Sequence, residues 1–291
     1  VSRRGAEFAL AEPYAARRVF DRAAETFEAA SVVHDESRRR LLERLDFVRL
    51  APRVVVDLGC ATGRSAEALA RRYRQARVLA IDTSTAMLSV ARRRASAAVV
   101  GDAERMPLAD GTVQLIFANM VLPWCRPDRV FGEAARVLTP GGLLSFATLG
   151  PDSLEQVRKA FASVDDAVHV HALFDMHDLG DLAVAAGLAE PVVDVDRLEL
   201  TYTDVGSMIK DLRACGAVNV AAGRRRTLTG RARWSGFERA LEAGREGGRF
   251  RVTIELILGQ AFGTGRPRDR GSRGAREALV PLADIGRRRR R

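Results

Sequence analysis

Lysine is nearly missing. Of 47 basic residues only Lys159 and Lys210 are not arginine, a bias of the whole chain that lowers the meaning of any single arginine run. Cysteine is scarce too. Cys60, Cys125 and Cys215 lie far apart without a C-x-x-C spacing, which excludes a disulfide framework and a thiolate zinc site. Three of the four histidines cluster in HVHALFDMHD, as His169, His171 and His177. Their spacing matches no ligand pattern on a helix, so no metal is expected. No run approaches the roughly 18 apolar residues that span a bilayer. The opening VSRRGAEFALAEPY lacks an apolar secretory block, and Glu7 and Glu12 argue against a mitochondrial presequence. The expectation is a soluble, cytoplasmic protein without a membrane partner.

Acids number 37, leaving a formal charge of +10, a sign that raises nucleic acid as a partner. Position deflates the idea. From residue 264 onward, TGRPRDRGSRGAREALVPLADIGRRRRR holds ten arginines and three acids. That is +7, leaving +3 for everything before it. The stretch 263–291 has little to bury and is expected to be a disordered tail with nonspecific affinity for polyanions such as RNA.

What is present is a core and a rhythm. The chain has 291 residues, 47% of them apolar, enough for one large α/β domain. Residues 1–50 read as a helical extension, with Val19, Phe20, Ala23, Ala24 and Phe27, then Leu41, Leu42, Leu45 and Val48, at helical spacing. From Val54 short apolar runs alternate with helical segments: VVVDL then SAEALARRY, RVLAID then TAMLSVARRR, AAVVGD, TVQLIFAN then DRVFGEAARVL, LLSFATL then SLEQVRKAF. TPGG at 139–142 reads as a turn. Beyond residue 150, MHDLGDLAVAAGL and DVGSMIKDLRACG read as helices, PVVDVDRLELTY and FRVTIELILG as strands. Strands separated by crossover helices imply a mostly parallel sheet with helices on both faces, over residues 51–262.

In such sheets ligands bind beyond the carboxyl ends of the strands, where strand order reverses. DLGCATG, residues 57–63, stands at the first such end. Its glycines, Gly59 and Gly63, are spaced wrongly for the dinucleotide fingerprint, and Arg64 occupies the place of a third glycine. Acids give a second argument. Asp57 precedes the loop, Asp82 ends the next strand in LAID, and Asp102 follows the third in VVGDAERMP. Three carboxylates at successive strand ends repel a pyrophosphate and suit a cationic ligand that carries a ribose. S-adenosylmethionine has a sulfonium and an ammonium charge, a ribose diol and an adenine amine. Asp82 is assigned to the ribose, Asp102 to the adenine edge, and the Gly59–Gly63 loop to the methionine end.

These words, in this order, resemble the class I S-adenosylmethionine-dependent methyltransferases. DLGCATG resembles their motif I, AID their motif II acid, GDAERMPLADGTVQLIFAN their third and fourth strands, and RVLTPGGLLSF the segment after. The resemblance implies a Rossmann-like class I methyltransferase fold with a seven-stranded, mostly parallel sheet. It also implies a cofactor set of Asp57, Gly59, Cys60, Ala61, Gly63, Asp82, Thr83, Met87, Asp102, Ala103, Glu104 and Asn119. Flanking segments FDRAAETFEAA, MVLPWC, TLGPDSLEQVRKAFASVDD and FDMHDLGDLAVAAGLAEPVVDVDRLELTY resemble the malonyl-acyl-carrier-protein O-methyltransferases of biotin synthesis, which methylate the free carboxylate of a malonyl thioester. Their partner is an acyl carrier protein. An alternative within the fold is an assembly-factor-like or modifying enzyme related to the arginine hydroxylases of respiratory complex I. The chain departs from its relatives at three positions: Ala61 for glycine, Phe27 for tyrosine and Pro123 for glutamine. Alanine tolerates fewer backbone conformations, so either φ is negative at Ala61 or cofactor affinity suffers.

An acid acceptor needs no general base, because a carboxylate is already ionised at neutral pH. Alignment then carries the catalysis. Asn119, at the end of the fourth strand, is the candidate for orienting the acceptor. Arg22, Phe27 and Trp124 are the candidate substrate contacts. Arg22 and the basic segment RTLTGRARW at 226–234 are the candidate docking positions for an acidic carrier protein.

Overall fold

A computed structural model describes residues 10–265. The residues before and after these, including nearly all of the arginine-rich tail, lie outside it. The runs of aliphatic residues form seven strands: β1 (Val54–Leu58), β2 (Arg77–Asp82), β3 (Ala97–Val100), β4 (Val113–Asn119), β5 (Leu138–Leu149), β6 (Ala189–Tyr202) and β7 (Phe250–Phe262). They make one sheet in the order β3-β2-β1-β4-β5-β7-β6. The strands from β1 to β5 are mutually parallel, and β7 enters antiparallel between β5 and β6. This is the class I methyltransferase sheet that the sequence predicts. Its order reverses between β1 and β4, so the crevice for a ligand opens there.

Alternation along the strands explains why both faces are covered. On β1 and β4, Val55, Leu115 and Phe117 point to one face, where they meet Leu41 and Leu45, together with Leu69 and Leu88. These partners come from α3 (Val32–Arg44) and the 3₁₀ turn after it, α4 (Arg64–Arg72) and α5 (Thr85–Ala91). Val56, Ile116 and Ala118 point the other way, onto Val130, Phe131 and Ala134 of α6 (Pro127–Val137) and Leu179 and Ala183 of α8 (Met176–Ala185). Each large side chain buried this way contributes about 1.5–3 kcal/mol. A smaller cluster joins Val157 of α7 (Glu155–Ala162), Met208 of α9 (Val205–Ala214), and Phe237 and Leu241 of α10 (Arg231–Glu242) to Phe250 and Val252 of β7. The sequence does not announce α10, whose first turn is the basic segment read as a docking patch.

The opening residues fold as α1 (Pro13–Ala23), a single turn α2 (Phe27–Ala30), and α3. They rest on the sheet's ligand-binding edge. Ser84 of the α5 cap donates to Asp21 of α1 at 2.6 Å while accepting the Met87 N–H at 3.1 Å. Glu28 of α2 pairs with Arg94. TPGG, expected as a turn, is an outward irregularity inside β5: the pairing steps from Val113–Leu138 to Leu115–Leu143 across it, and Gly141 adopts φ 73°.

Gly259 on β7 shows how tightly neighbouring strands pack, since its partner across the ladder is Phe146 of β5. A Cβ there would stand 2.1 Å from the Phe146 ring, a side chain only 1% exposed. Gly259→Ala is therefore expected to cost about 1–3 kcal/mol or more through overpacking. Urea denaturation with an unchanged midpoint would contradict this packing.

Candidate active site

The cleft at the switch point takes its floor from the strand ends. Gly59 follows β1 with φ 66°, and a Cβ there would stand 2.6 Å from Val121, so only glycine admits this approach. Gly63, φ 83°, is the N-cap of α4. Ala61 lies between them at φ 45°. The negative φ offered as one option is therefore not what occurs: alanine holds a glycine-like conformation, at a cost on the order of 1 kcal/mol. Its N–H donates to Oδ2 of Asp82 at 2.9 Å, and the Ser84 N–H donates to Oδ1 at 2.8 Å. The loop and the β2 carboxylate thus hold each other in register, leaving lone pairs on both oxygens.

Negative potential accumulates here. Asp57 is 1% exposed and its Oδ2 has no partner. Burial pushes its carboxyl up to about 7; the Ala66 N–H and Arg38 oppose this, while the charge of Asp82 adds to it. Asp82 is raised as well, mainly by burial, against the pull of its backbone donors. The thiols of Cys60 and Cys125 are pushed up by burial and then by these same acids, Asp57 and Asp82 on one, Glu104, Asp102 and Asp82 on the other. An orphaned carboxylate oxygen and clustered acids are costly in isolation. They fit a ligand that carries positive charge.

The cleft encloses about 1030 Å³ including its open mouth, ample for a nucleoside-sized ligand. Of the residues expected from sequence, Gly59, Cys60, Ala61, Asp82, Thr83, Asp102, Ala103, Glu104, Asn119, Phe27 and Trp124 line it. Asp102 accepts the Glu104 N–H at 2.9 Å. Glu104 accepts the Arg126 N–H at 2.8 Å and pairs with Arg129 at 3.0 Å, so it braces the wall. Four expected residues do not line the cleft. Asp57 and Gly63 stand behind the lining, one as the buried charge and the other as a helix cap. Met87 is fully buried with Ala23, Phe27 and Cys215 beneath the N-terminal helices, behind the lining residues Phe20, Phe27 and Ala61. Arg22 is exposed on α1, and Arg17, on a different side of the helix, reaches the cleft in its place.

Asn119 is more constrained than its place at a strand end foretells. Its Oδ1 accepts from Ser37 Oγ at 2.8 Å and its Nδ2 donates to the His34 carbonyl at 3.0 Å. Its amide is thereby engaged by α3, and it fixes the cleft's third wall. That wall brings residues the sequence reading missed: Phe20, His34, Asp35, Arg38 and, from α4, Arg64. Asp35 is shared by Arg38 at 2.7 Å and Arg64 at 2.6 Å. His34 is held neutral, burial pulling it down to about 4. Aromatic edges run from His34 to Phe27, Phe20, Trp124 and His171, with successive ring centroids 4.9, 6.5, 4.9 and 5.1 Å apart. One apolar rim results, to which Phe27 contributes its ring.

Residues 56–146 match the model of a methyltransferase domain family. The malonyl-[acyl-carrier protein] O-methyltransferase of Methylovorus sp. is 44% identical, over 84% of this chain and 87% of that protein. The enzyme so named in Laribacter hongkongensis is 43% identical over 84% and 88%, and a form from Coxiella burnetii 40% over 94% and 96%. The chain belongs to the malonyl-[acyl-carrier protein] O-methyltransferase family. Solved structures agree on the fold alone: an S-adenosylmethionine-dependent methyltransferase of Thermotoga maritima has a TM-score of 0.51 at 18% identity, covering 85% of this chain and 99% of that one. The YcgJ protein of Bacillus subtilis has 0.53 at 17%, over 77% and 97%. Relatives at this identity favour membership of this O-methyltransferase family over the assembly-factor reading. Among the described residues no group of three or more potential ligands could hold a metal ion, and no helix is long and apolar enough to cross a membrane.

The buried acid behind the loop has a measurable consequence. Because folding raises the Asp57 pKa from 3.8 to about 7, the folded state holds this proton more tightly. The associated stability is fully present below about pH 4 and is lost as pH rises through 7. Without cofactor, the gap in unfolding free energy between Asp57→Asn and the parent should shift toward the variant by a few kcal/mol from pH 5 to pH 8. Denaturant titrations across that range would refute the assignment if the two pH curves ran parallel.

Proposed function

We propose that this enzyme transfers a methyl group from S-adenosylmethionine to the free carboxylate of a malonyl group on acyl carrier protein, in the cytoplasm, as a step of biotin synthesis. The observation that carries the reading is a single cleft that holds both kinds of charge. Asp82 and Asp102 at the ends of β2 and β3 line it and suit a cationic donor, and Arg17, Arg38 and Arg64 line it too, which suits an anionic acceptor. The names of relatives that match most of the chain supply the substrate.

Each residue then has a task. Asp82, clamped by the Ala61 and Ser84 N–H groups, accepts the ribose hydroxyls. Asp102 receives the adenine edge, with Ile81, Ala103, Val121 and Cys125 as apolar walls. The Gly59–Gly63 loop follows the methionine end closely. Bound there, S-adenosylmethionine supplies an electrophilic methyl on a sulfonium. The acceptor carboxylate arrives ionised, so the site's work is alignment and exclusion of water rather than proton removal. A neutral His34 and the rim of Phe20, Phe27 and Trp124 suit that work: they close the mouth without adding a charge that competes for the acceptor. Asn119 contributes by holding α3, and with it Arg38, against the strand ends.

Purified protein given S-adenosylmethionine labelled at its methyl group should label malonyl-carrier protein as a base-labile ester and leave holo-carrier protein unlabelled. Asp82→Ala should weaken cofactor binding by calorimetry at least ~10-fold, the value of one lost charged hydrogen bond. Label on RNA or on a phenol in place of the malonyl thioester would overturn the substrate while leaving the fold intact. A smaller change of the same kind is expected at Asn119. Asn119→Ala should lower kcat/KM and the melting temperature together, since its amide fastens α3, whereas a residue acting only on the acceptor would lower kcat/KM and leave the melting temperature unchanged.

A further inference from the structure

The cleft's mouth continues into a surface that the methyl-transfer site does not use. Residues 222–233, AGRRRTLTGRAR, contain five arginines and no acid. This segment is fastened beside the cleft at both levels of structure. Its base pairs with the start of the N-terminal helices: Ala11 bridges Ala221, the Glu12 N–H donates to the Val220 carbonyl at 2.8 Å, and the Ala222 N–H donates to Leu10 at 2.9 Å. The Val220 N–H donates to His171 Nε2 at 2.9 Å, and His171 meets Trp124 of the cleft rim. One residue beyond Glu12, α1 begins to line the cleft with Pro13, Ala16 and Arg17.

Ion pairs divide the five arginines into two groups. Arg224 is held by Glu12 at 2.7 Å. Arg225 and Arg233 close on Asp165 at 3.3 and 3.7 Å, and Asp165 is itself held by His169 at 2.7 Å. His169 stacks flat on Phe161, so this anchor is rigid. Arg226 shares Glu12 with Arg224, at 3.5 Å, yet keeps 71% of its side chain exposed, and Arg231 at the head of α10 is exposed as well. Between them Leu228 is 94% exposed, and Tyr14 at the head of α1 is 67% exposed. An isolated pair of such apolar side chains is unremarked on most surfaces. Set among five arginines that share only two acids, Glu12 and Asp165, beside a cleft, they have the composition of a docking face for an acidic partner: charges that steer, and an apolar residue that seats.

We propose that Arg226, Leu228 and Arg231, with Tyr14, form the surface on which the acidic acyl carrier protein docks to deliver its malonyl arm past Arg17 into the cleft. This rests on the function proposed above and adds where the carrier binds. Negative helix surface on the carrier meets the two outward guanidinium groups, Leu228 fills an apolar depression on it, and its flexible arm spans the short path along α1 to the strand ends.

The test compares two acceptors with the full-length protein: malonyl-carrier protein, and malonyl-pantetheine, which has the arm without the carrier. In Arg226→Glu/Arg231→Glu, kcat/KM for malonyl-carrier protein should fall ~10-fold or more, through KM, and its decline with added salt should flatten. Kinetics with malonyl-pantetheine should stay within about two-fold, and Arg226→Lys/Arg231→Lys should retain most of the activity with the carrier. Leu228→Ser should raise KM for the carrier alone. An unchanged KM for the carrier in the double charge reversal would overturn the docking surface. So would equal losses with both acceptors, which would mark the segment as structural. Parent enzyme that methylates neither acceptor would instead remove the proposed function, a failure visible before any variant is made.

Discussion

The bond from the Ala61 amide to the Asp82 carboxylate is the constraint on which the site depends. It joins the loop after β1 to the end of β2, the two elements that flank the point where the sheet's order reverses. A carboxylate with rigid backbone donors keeps a fixed orientation, and those donors oppose the desolvation that raises its pKa. Without this pairing the glycine turn would be one more loop. With it, the turn and the acid form a single rigid cradle, and preorganised dipoles of this kind are the largest resource an alignment catalyst has.

Around the cradle, the protein separates charge by origin. The sheet contributes acids, since strand ends present one residue each to the crevice. Helices α1, α3 and α4 contribute arginines to the same cleft. Exposed ion pairs contribute little to stability, but Asp35 shared between Arg38 and Arg64 is only about one-third exposed and orders both guanidinium groups toward the cleft. The same logic operates on the surface, where Asp165 and Glu12 immobilise three arginines and leave two outward.

The sheet and the cofactor side were legible because their signals are local. Period-two apolar runs ending in Asp57, Asp82 and Asp102 announce strands and strand ends at once, and a glycine loop after the first run fixes the switch point. What was not legible depends on how helices sit against the sheet. Arg17 and Arg22 are five residues apart on α1, so they face directions well separated around the helix; only docking decides which enters the cleft. Met87 lies one turn into α5, where its neighbours from α1 and α2 bury it. The partners of Asn119 are 85 and 82 residues away in sequence, beyond any periodicity. His34 within SVVHDESRRR reads as a residue of a solvated helix until α3 is laid over β4. In α10 the charges of its first turn conceal an apolar face of Phe237 and Leu241.

The double grip of Asn119 on α3 makes that side of the cleft resist opening. To swing α3 outward, the enzyme would break the bonds to both the His34 carbonyl and the Ser37 hydroxyl, each worth about 1 kcal/mol net, and would expose Leu41 and Leu45 to water. The opposite bank, α1, is fastened at its start by the Glu12 N–H to Val220 and the Glu12–Arg224 pair, and at its end by Asp21 to Ser84. A cleft pinned on both banks keeps its shape before cargo arrives, which is what a catalyst that works by alignment requires.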